Sequence, residues 1–158
     1  MPEIAFMEVS NDIKGESNVK DQSDKIEVLS FSHEVSKEVD PLDCRRVRGD
    51  RRHHVFEVVK SYDKATPMLA QFLCQGKKID TVTIRWFRAD PDGGDKPQHY
   101  FTHTFTDCIV TSVRPWMPNA LDSSTRNFGH MEAVTFGYGQ ISWKSETGGT
   151  EFKDDVRG

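Results

Sequence analysis

Apolar and polar residues alternate with a period of two along most of this chain, and each alternating run stops at a cluster of turn residues. That is the pattern of half-buried antiparallel strands. It predicts strands over 3–9, 25–31, 54–60, 80–88, 98–106, 108–113, 132–138 and 140–144. Within them Val82, Ile84 and Trp86 share one face, as do Phe101 and Phe105, and as do Val134, Phe136 and Tyr138. One-sided apolar rows need a covering layer. The reading is therefore a mainly β chain, a small antiparallel β-barrel or two-sheet sandwich.

One segment breaks the alternation. Thr66 is a good N-cap, Pro67 suits the first helical position, and Gly76 suits the C-terminal cap. Met68, Leu69, Phe72 and Leu73 fall at helical spacing between them, which predicts one short α-helix with an apolar face. The run from Asp90 to Asp95, with one proline and two glycines, predicts a hairpin turn. It also resembles the start of a calcium loop, but the twelfth position, where such a loop needs glutamate, holds Phe101.

Two connections, 36–53 and 114–129, exceed the roughly 12 to 15 residues beyond which structureless loops become uncommon. The first is expected to be a long extended loop whose apolar anchors are only Val39, Leu42 and Val47. Ordering a residue costs about 1 to 2 kcal/mol of backbone entropy. A partner surface is the natural source of the missing contacts.

Composition narrows the class. The 158 residues suit a single domain, 1–158, and 35% hydrophobic with 29% charged residues suits a globular chain. No apolar run approaches the length of a membrane span, and 1–9 lacks the basic and apolar regions of a cleaved signal peptide. The protein is expected to fold in the cytoplasm. Cys44, Cys74 and Cys108 are odd in number and widely spaced, which argues against a disulfide framework, a zinc site or a redox pair. A net charge of −4 gives no general attraction to nucleic acid or anionic membrane.

Catalytic signatures are missing from the sequence: no nucleophile elbow, no His-Glu-x-x-His, no phosphate loop. Phe136-Gly-Tyr-Gly139 lacks a third glycine and a following helix, so it reads as a strand turn. His99 and His103 share a strand face but stand about 13 Å apart along it, too far to share one ion unaided. His53 and His54 should point to opposite faces. No enzyme activity, metal or cofactor is expected.

The strongest charge anomaly is Arg45-Arg-Val-Arg-Gly-Asp-Arg-Arg52. Three readings stand beside one another: a protein interface, a solvated loop, and phosphate contact in nucleic acid. Asp40, Asp43 and Asp50 nearby, and the acidic whole-chain balance, count against nucleic acid. The candidate interface residues are Leu42, Arg45, Arg46, Arg48, Arg51 and Arg52, with the arginines contacting acidic groups of an adjacent subunit.

Several blocks together carry a resemblance. They are Lys14-Gly-Glu-Ser17 followed by Ile26-Glu-Val-Leu-Ser-Phe-Ser32, then Val59-Lys-Ser-Tyr-Asp-Lys-Ala-Thr-Pro-Met-Leu69, Val134-Thr-Phe-Gly-Tyr-Gly-Gln-Ile-Ser-Trp143, and Gly148-Gly-Thr-Glu151. The chain resembles the haemolysin-coregulated proteins, the tube subunits of type VI secretion, along nearly its whole length. Its motif residues are Asp63, Lys64, Thr66, Pro67 and Gly76. The chain departs from the family at Asp24-Lys25, where many members carry a histidine, and in the tail 146–158, where many end in tryptophan.

The resemblance implies a small β-barrel with one helix, assembled as homohexameric rings that stack into a hollow tube. It implies as partners a spike protein of the VgrG type, contractile sheath proteins and secreted effectors, with the protein leaving the cytoplasm through its own apparatus. The loop 36–53 then becomes the element that contacts neighbouring subunits or stacked rings. The alternatives are a monomeric small-ligand-binding β-barrel and a nucleic-acid-binding module using the arginine loop.

Overall fold

The computed structural model describes residues 3–125 and 128–157. In chain order the elements are β1 (Ile4–Val9), β2 (Ile26–Val28), β3 (Ser30–Ser32), β4 (Val35–Asp40), β5 (Asp43–His53), β6 (Phe56–Ser61), α1 (Ala65–Gln75), β7 (Lys78–Arg88), β8 (Gln98–Trp116), a 3-10 turn (Ser123–Thr125), β9 (Met131–Gly137), β10 (Gln140–Ser145) and β11 (Glu151–Asp155). The predicted class holds: mainly β, antiparallel, with one helix.

The main sheet runs β2-β1-β7-β8-β9-β6-β3. Its two ends are successive halves of the predicted strand 25–31. At Leu29 that segment changes partner, pairing with β1 before it and with β6 after it, and the Leu29 N–H donates to the Val59 carbonyl at 2.8 Å. The sheet therefore curls until both ends rest on one stretch of chain, giving the inward-facing rows a common core.

Strands 98–106 and 108–113 are expected separately, yet they form the single strand β8. Asp107 between them takes a positive φ of 55° and kinks the strand without ending it. Along one edge of β8, β10 pairs with residues 101–106 and β9 with residues 109–116. The chain from β9 to β10 bends at Tyr138-Gly139, opposite Asp107, and a Cβ on Gly139 would stand 3.1 Å from an Asp107 carboxylate oxygen. Beyond the bend the sheet forks. β9 continues into β6, whereas β10 carries β11, so Tyr138 sits where the two layers part.

Phe56 fills the centre, stacked between Phe105 at 3.8 Å and Phe136 at 4.9 Å between ring centroids, and all three are fully buried. Such pairs add about 0.5 to 1.5 kcal/mol each beyond area burial. α1 packs on β8 through Leu69 and Phe72, with Met68 and Leu73 at the rim of the core, as the spacing predicts.

The helix start differs from expectation. Lys64 is the N-cap, with no side-chain cap of its own, and Pro67 is the third helical residue, where its missing N–H is one of the orphan donors in any case. Gly76 closes the helix in the left-handed conformation, φ 65°, as expected.

Two other expectations change. The loop 36–53 is a β-hairpin, β4–β5, and the tail 146–158 contains β11, paired with β10. The connection 114–129 begins as the end of β8 and then carries the 3-10 turn, while its residues 126 and 127 lie outside the described part, as does residue 158 of the tail.

Candidate functional site

The β4–β5 hairpin is an arm that forms a two-stranded sheet separate from the main one. Its turn, Asp40-Pro-Leu-Asp43, is built by polar side chains: an Asp40 carboxylate oxygen accepts from Leu42 N–H at 2.9 Å, and Asp43 accepts from Arg45 N–H at 3.0 Å. Gly49, at φ 75°, supplies the bulge that shifts register between Ser36 and Glu38. The arm buries almost nothing. Leu42 at its tip is 98% exposed, and Val35, Val39 and Val47 are exposed too. A lone two-stranded hairpin is marginal in water.

The candidate interface residues all lie on this arm. Arg46 and Arg48 approach Asp40 at 3.9 and 3.3 Å, Arg45 approaches Asp43 at 3.4 Å, and Arg51 pairs with Asp154 of β11. Four of the five arginines thus already hold carboxylates of their own chain, where contacts to a neighbour's carboxylates were expected. Arg52, opposite Ser36 in register, has no ion pair among the described residues. Asp40 and Asp43 stand close to their arginines in the sequence, but nothing there signals Arg51 with Asp154, 103 positions away.

At the root of the arm a chain of polar groups ties it to the body. Arg51 Nη2 donates to Asp154 Oδ1 at 2.9 Å and to the Asp155 carbonyl at 2.9 Å. His53, whose side chain is 2% exposed, lies with Nε2 2.8 Å from Asp154 Oδ2 and Nδ1 2.9 Å from the Tyr138 hydroxyl. Tyr138 in turn meets His33 Nε2 at 2.7 Å.

Donor accounting limits the direction of this chain. A carboxylate only accepts, so His53 Nε2 carries a proton; where that is the ring's only one, Nδ1 accepts from Tyr138 O–H and the Tyr138 oxygen accepts from His33 Nε2–H. The Arg51 hydrogen bond, followed by that of His53, holds the Asp154 carboxyl down to about 2. Burial, then the neighbouring His53 and His54, pushes His33 below the usual imidazole value.

A second polar cluster joins the motif residues. Lys60, fully buried, donates from Nζ to Asp63 Oδ1 at 2.9 Å and Thr66 Oγ1 at 3.1 Å, and meets Glu132 Oε2 at 2.8 Å. Thr66, rather than capping the helix, donates its hydroxyl to Glu132 Oε2 at 2.8 Å. Asp63 supplies the helix-start contact instead, accepting from Ala65 N–H at 2.9 Å. Lys64 is exposed; its N–H donates to Glu16 and its ammonium reaches Asp24, which docks the Gly-Glu-Ser turn onto the helix start. Sequence reading finds these residues only as a motif and misses Lys60 and Glu132, whose partnership requires the β6–β9 register.

Little here resembles a reactive centre. Cys108 is buried, and burial pushes its thiol up to about 12, far from the thiolate a nucleophile needs. His103 accepts from Trp86 Nε1–H at 2.8 Å, and His99 contacts Thr102 and stacks on Phe87. Among the described residues no three His, Cys, Asp or Glu side chains converge to hold a metal ion. A cleft of about 470 Å³ is an open groove lined by Thr104, Thr106, Ser142 and Lys153, among others. Among the described residues no helix is long and apolar enough to cross a membrane.

Comparison with known proteins agrees with this geometry. A family model described as "Type VI secretion system effector, Hcp" matches residues 6–144. The "Major exported protein" of Pseudomonas aeruginosa is 32% identical over 148 residues, covering 94% of this chain and 84% of that protein. A crystal structure of an Hcp protein superimposes with a TM-score of 0.88 at 30% identity, covering 99% of both chains. The secreted protein Hcp3 of Pseudomonas aeruginosa gives 0.76 at 26% identity, covering 99% of this chain and 100% of that one. With a family model matching most of its length, a relative 32% identical over 94% of the chain and an Hcp structure that superimposes over 99% of it, this chain belongs to the Hcp family of type VI secretion proteins.

Proposed function

We propose that this protein is the tube subunit of a type VI secretion apparatus, working by self-assembly rather than by catalysis. Six copies close into a ring, rings stack into a hollow tube, and the tube is exported with the effectors it carries. A spike protein caps the tube and a contractile sheath propels it out of the cytoplasm. The exposed hairpin arm with Leu42 at its tip is the observation that carries this reading, because among the described residues none covers that apolar tip. A head-to-tail contact that closes on itself gives a cyclic oligomer.

The small-ligand reading gains nothing from the centre of the sheet, which stacked phenylalanines fill. The arm sets Lys37 and five arginines against Glu34, Glu38, Asp40, Asp43 and Asp50, so it offers no uniform basic face for nucleic acid. Light scattering at micromolar concentration tests the proposal: it should return about six times the 18.0 kDa of one chain. A mass of one chain would overturn it.

A further inference from the structure

The root of the arm gathers imidazoles. His33 precedes β4, His53 ends β5, His54 follows it, and His103 lies close by on β8, near enough that His33 lowers its proton affinity. The other rings around His33 are Phe31, Phe105, Tyr138 and Trp143. The charged groups facing this cluster are few. Asp154 is shared between His53 and Arg51, Glu34 is 69% exposed and 3.9 Å from His54, and Asp50 and Asp155 flank Arg51.

We propose that His33, Tyr138 and His53, backed by Asp154 and Arg51, form a proton-operated latch. It holds the arm against the C-terminal hairpin β10–β11 while the imidazoles are neutral, and releases the arm when the cluster takes up protons from acidic solvent. The proposal rests on the assembly reading only for its consequence, that acidity controls how the arm is presented to a neighbouring subunit.

The hydrogen-bond count supplies the mechanism. A first proton taken up by the fork only reverses its direction, Tyr138 O–H then donating to His33 Nε2, but a second leaves two N–H donors on the Tyr138 oxygen and no acceptor for its O–H inside the fork. That second proton, on His33, sets two imidazolium rings on one phenol oxygen beside Arg51, with Asp154 the single nearby carboxylate already engaged. The rest of the attachment is slight. The His54 N–H donates to the Glu34 carbonyl at the base of the arm, Ser36 Oγ meets His54, and the arm's strands pair only with each other. Opening the latch therefore frees the arm as a hinged unit while the main sheet stays folded. The depressed proton affinity of His33 agrees in sign: the latch is intact above the ordinary imidazole value and weakens as pH falls below it.

Two exposed cysteines give the test its labels, Cys44 on the arm and Cys74 on α1, with Cys108 buried. Nitroxides on both, spin-diluted with the Cys44→Ser/Cys74→Ser chain so that only intrachain pairs are read, give a distance distribution by pulsed electron resonance. At about pH 8 it should be narrow, and at about pH 5.5 broad. His33→Gln keeps a donor for Tyr138 without titrating and should stay narrow at both values. Tyr138→Phe removes the shared hydroxyl and should be broad at both. A narrow wild-type distance at both pH values, or broadening in His33→Gln equal to wild type, would overturn the latch. Light scattering on the same samples keeps the two ideas apart: a single-chain mass sinks the ring and leaves the distance result standing, whereas a ring with an unchanged distance sinks only the latch.

Discussion

Lys60 and Glu132 stand directly opposite each other in the β6–β9 ladder, both fully buried, with Nζ 2.8 Å from Oε2. Asp63 and Thr66 complete the cluster, while Glu132 Oε1 has no hydrogen-bond partner among the described residues. An incompletely satisfied buried ion pair is a weak source of net stability but a costly one to break. Lys60→Met, which strands the Glu132 charge, should cost about 3 to 5 kcal/mol in urea unfolding. Replacing both residues with apolar ones should recover most of that loss. A double variant as unstable as the single one would show that the pair itself, rather than the stranded charge, matters.

Gly15 is required for space and not for its backbone angle. A Cβ there would lie 2.6 Å from the Lys25 carbonyl oxygen and 2.7 Å from the Ile26 side chain. Gly15→Ala must push the 15–17 turn off β2 and should lose roughly 1 to 3 kcal/mol, the usual cost of overpacking. The Glu16 contact to Lys64 N–H should loosen with it, visible as faster amide exchange at Lys64. Unchanged stability and unchanged exchange would refute this account.

His103 is neutral in the fold because burial, and then His33, press it down to about 4, and because its Nδ1 must accept from Trp86. His33 and His99 are shifted the same way, each mainly by burial. Where a folded group binds protons less readily than the unfolded chain does, stability rises with pH. The protein should therefore be fully stable above about pH 6.5 and lose stability as pH falls toward about 4, with His103 contributing roughly 3 kcal/mol of the loss. Thermal unfolding across that range checks the sign. A melting temperature that rises on acidification would contradict it.

The alternation of Val82, Ile84 and Trp86 and of Val134 and Phe136 reveals the inward faces in the sequence, because a period of two is a local property of a strand. The α-helix is legible for the same reason, in Leu69, Phe72 and Gly76. Thr66 misleads because its hydroxyl has a stronger use in the buried Lys60–Glu132 cluster than at a helix end. The arm hides because β5 is built of arginines and aspartates exposed on both faces, leaving no apolar rhythm to betray a strand. β11 hides likewise, since Glu-Phe-Lys-Asp-Asp is held by its register with β10 and by Arg51 and His53. The Arg51 and His53 contacts join residues 103 and 101 positions apart, and composition carries no trace of them.

Leu42 offers the sharpest separation of folding from assembly. At 98% exposure it contributes nothing to its own domain, and its neighbours in the turn are held by Asp40 and Asp43 without it. Surface substitutions away from such contacts usually change stability by no more than about 0.5 kcal/mol, so Leu42→Asp should leave the urea midpoint of a dilute sample where it was. In an assembly that buries the tip against a second copy, the same change removes roughly 1.5 to 3 kcal/mol of apolar burial at every contact. Since about 1.4 kcal/mol is tenfold in affinity, each contact should weaken by at least tenfold. The ring or stack should then dissociate at micromolar concentration while the circular dichroism of the β-sheet persists. Undiminished mass by light scattering, together with unaltered end-to-end stacking in electron micrographs, would place the tip in solvent and remove the arm from the assembly surface.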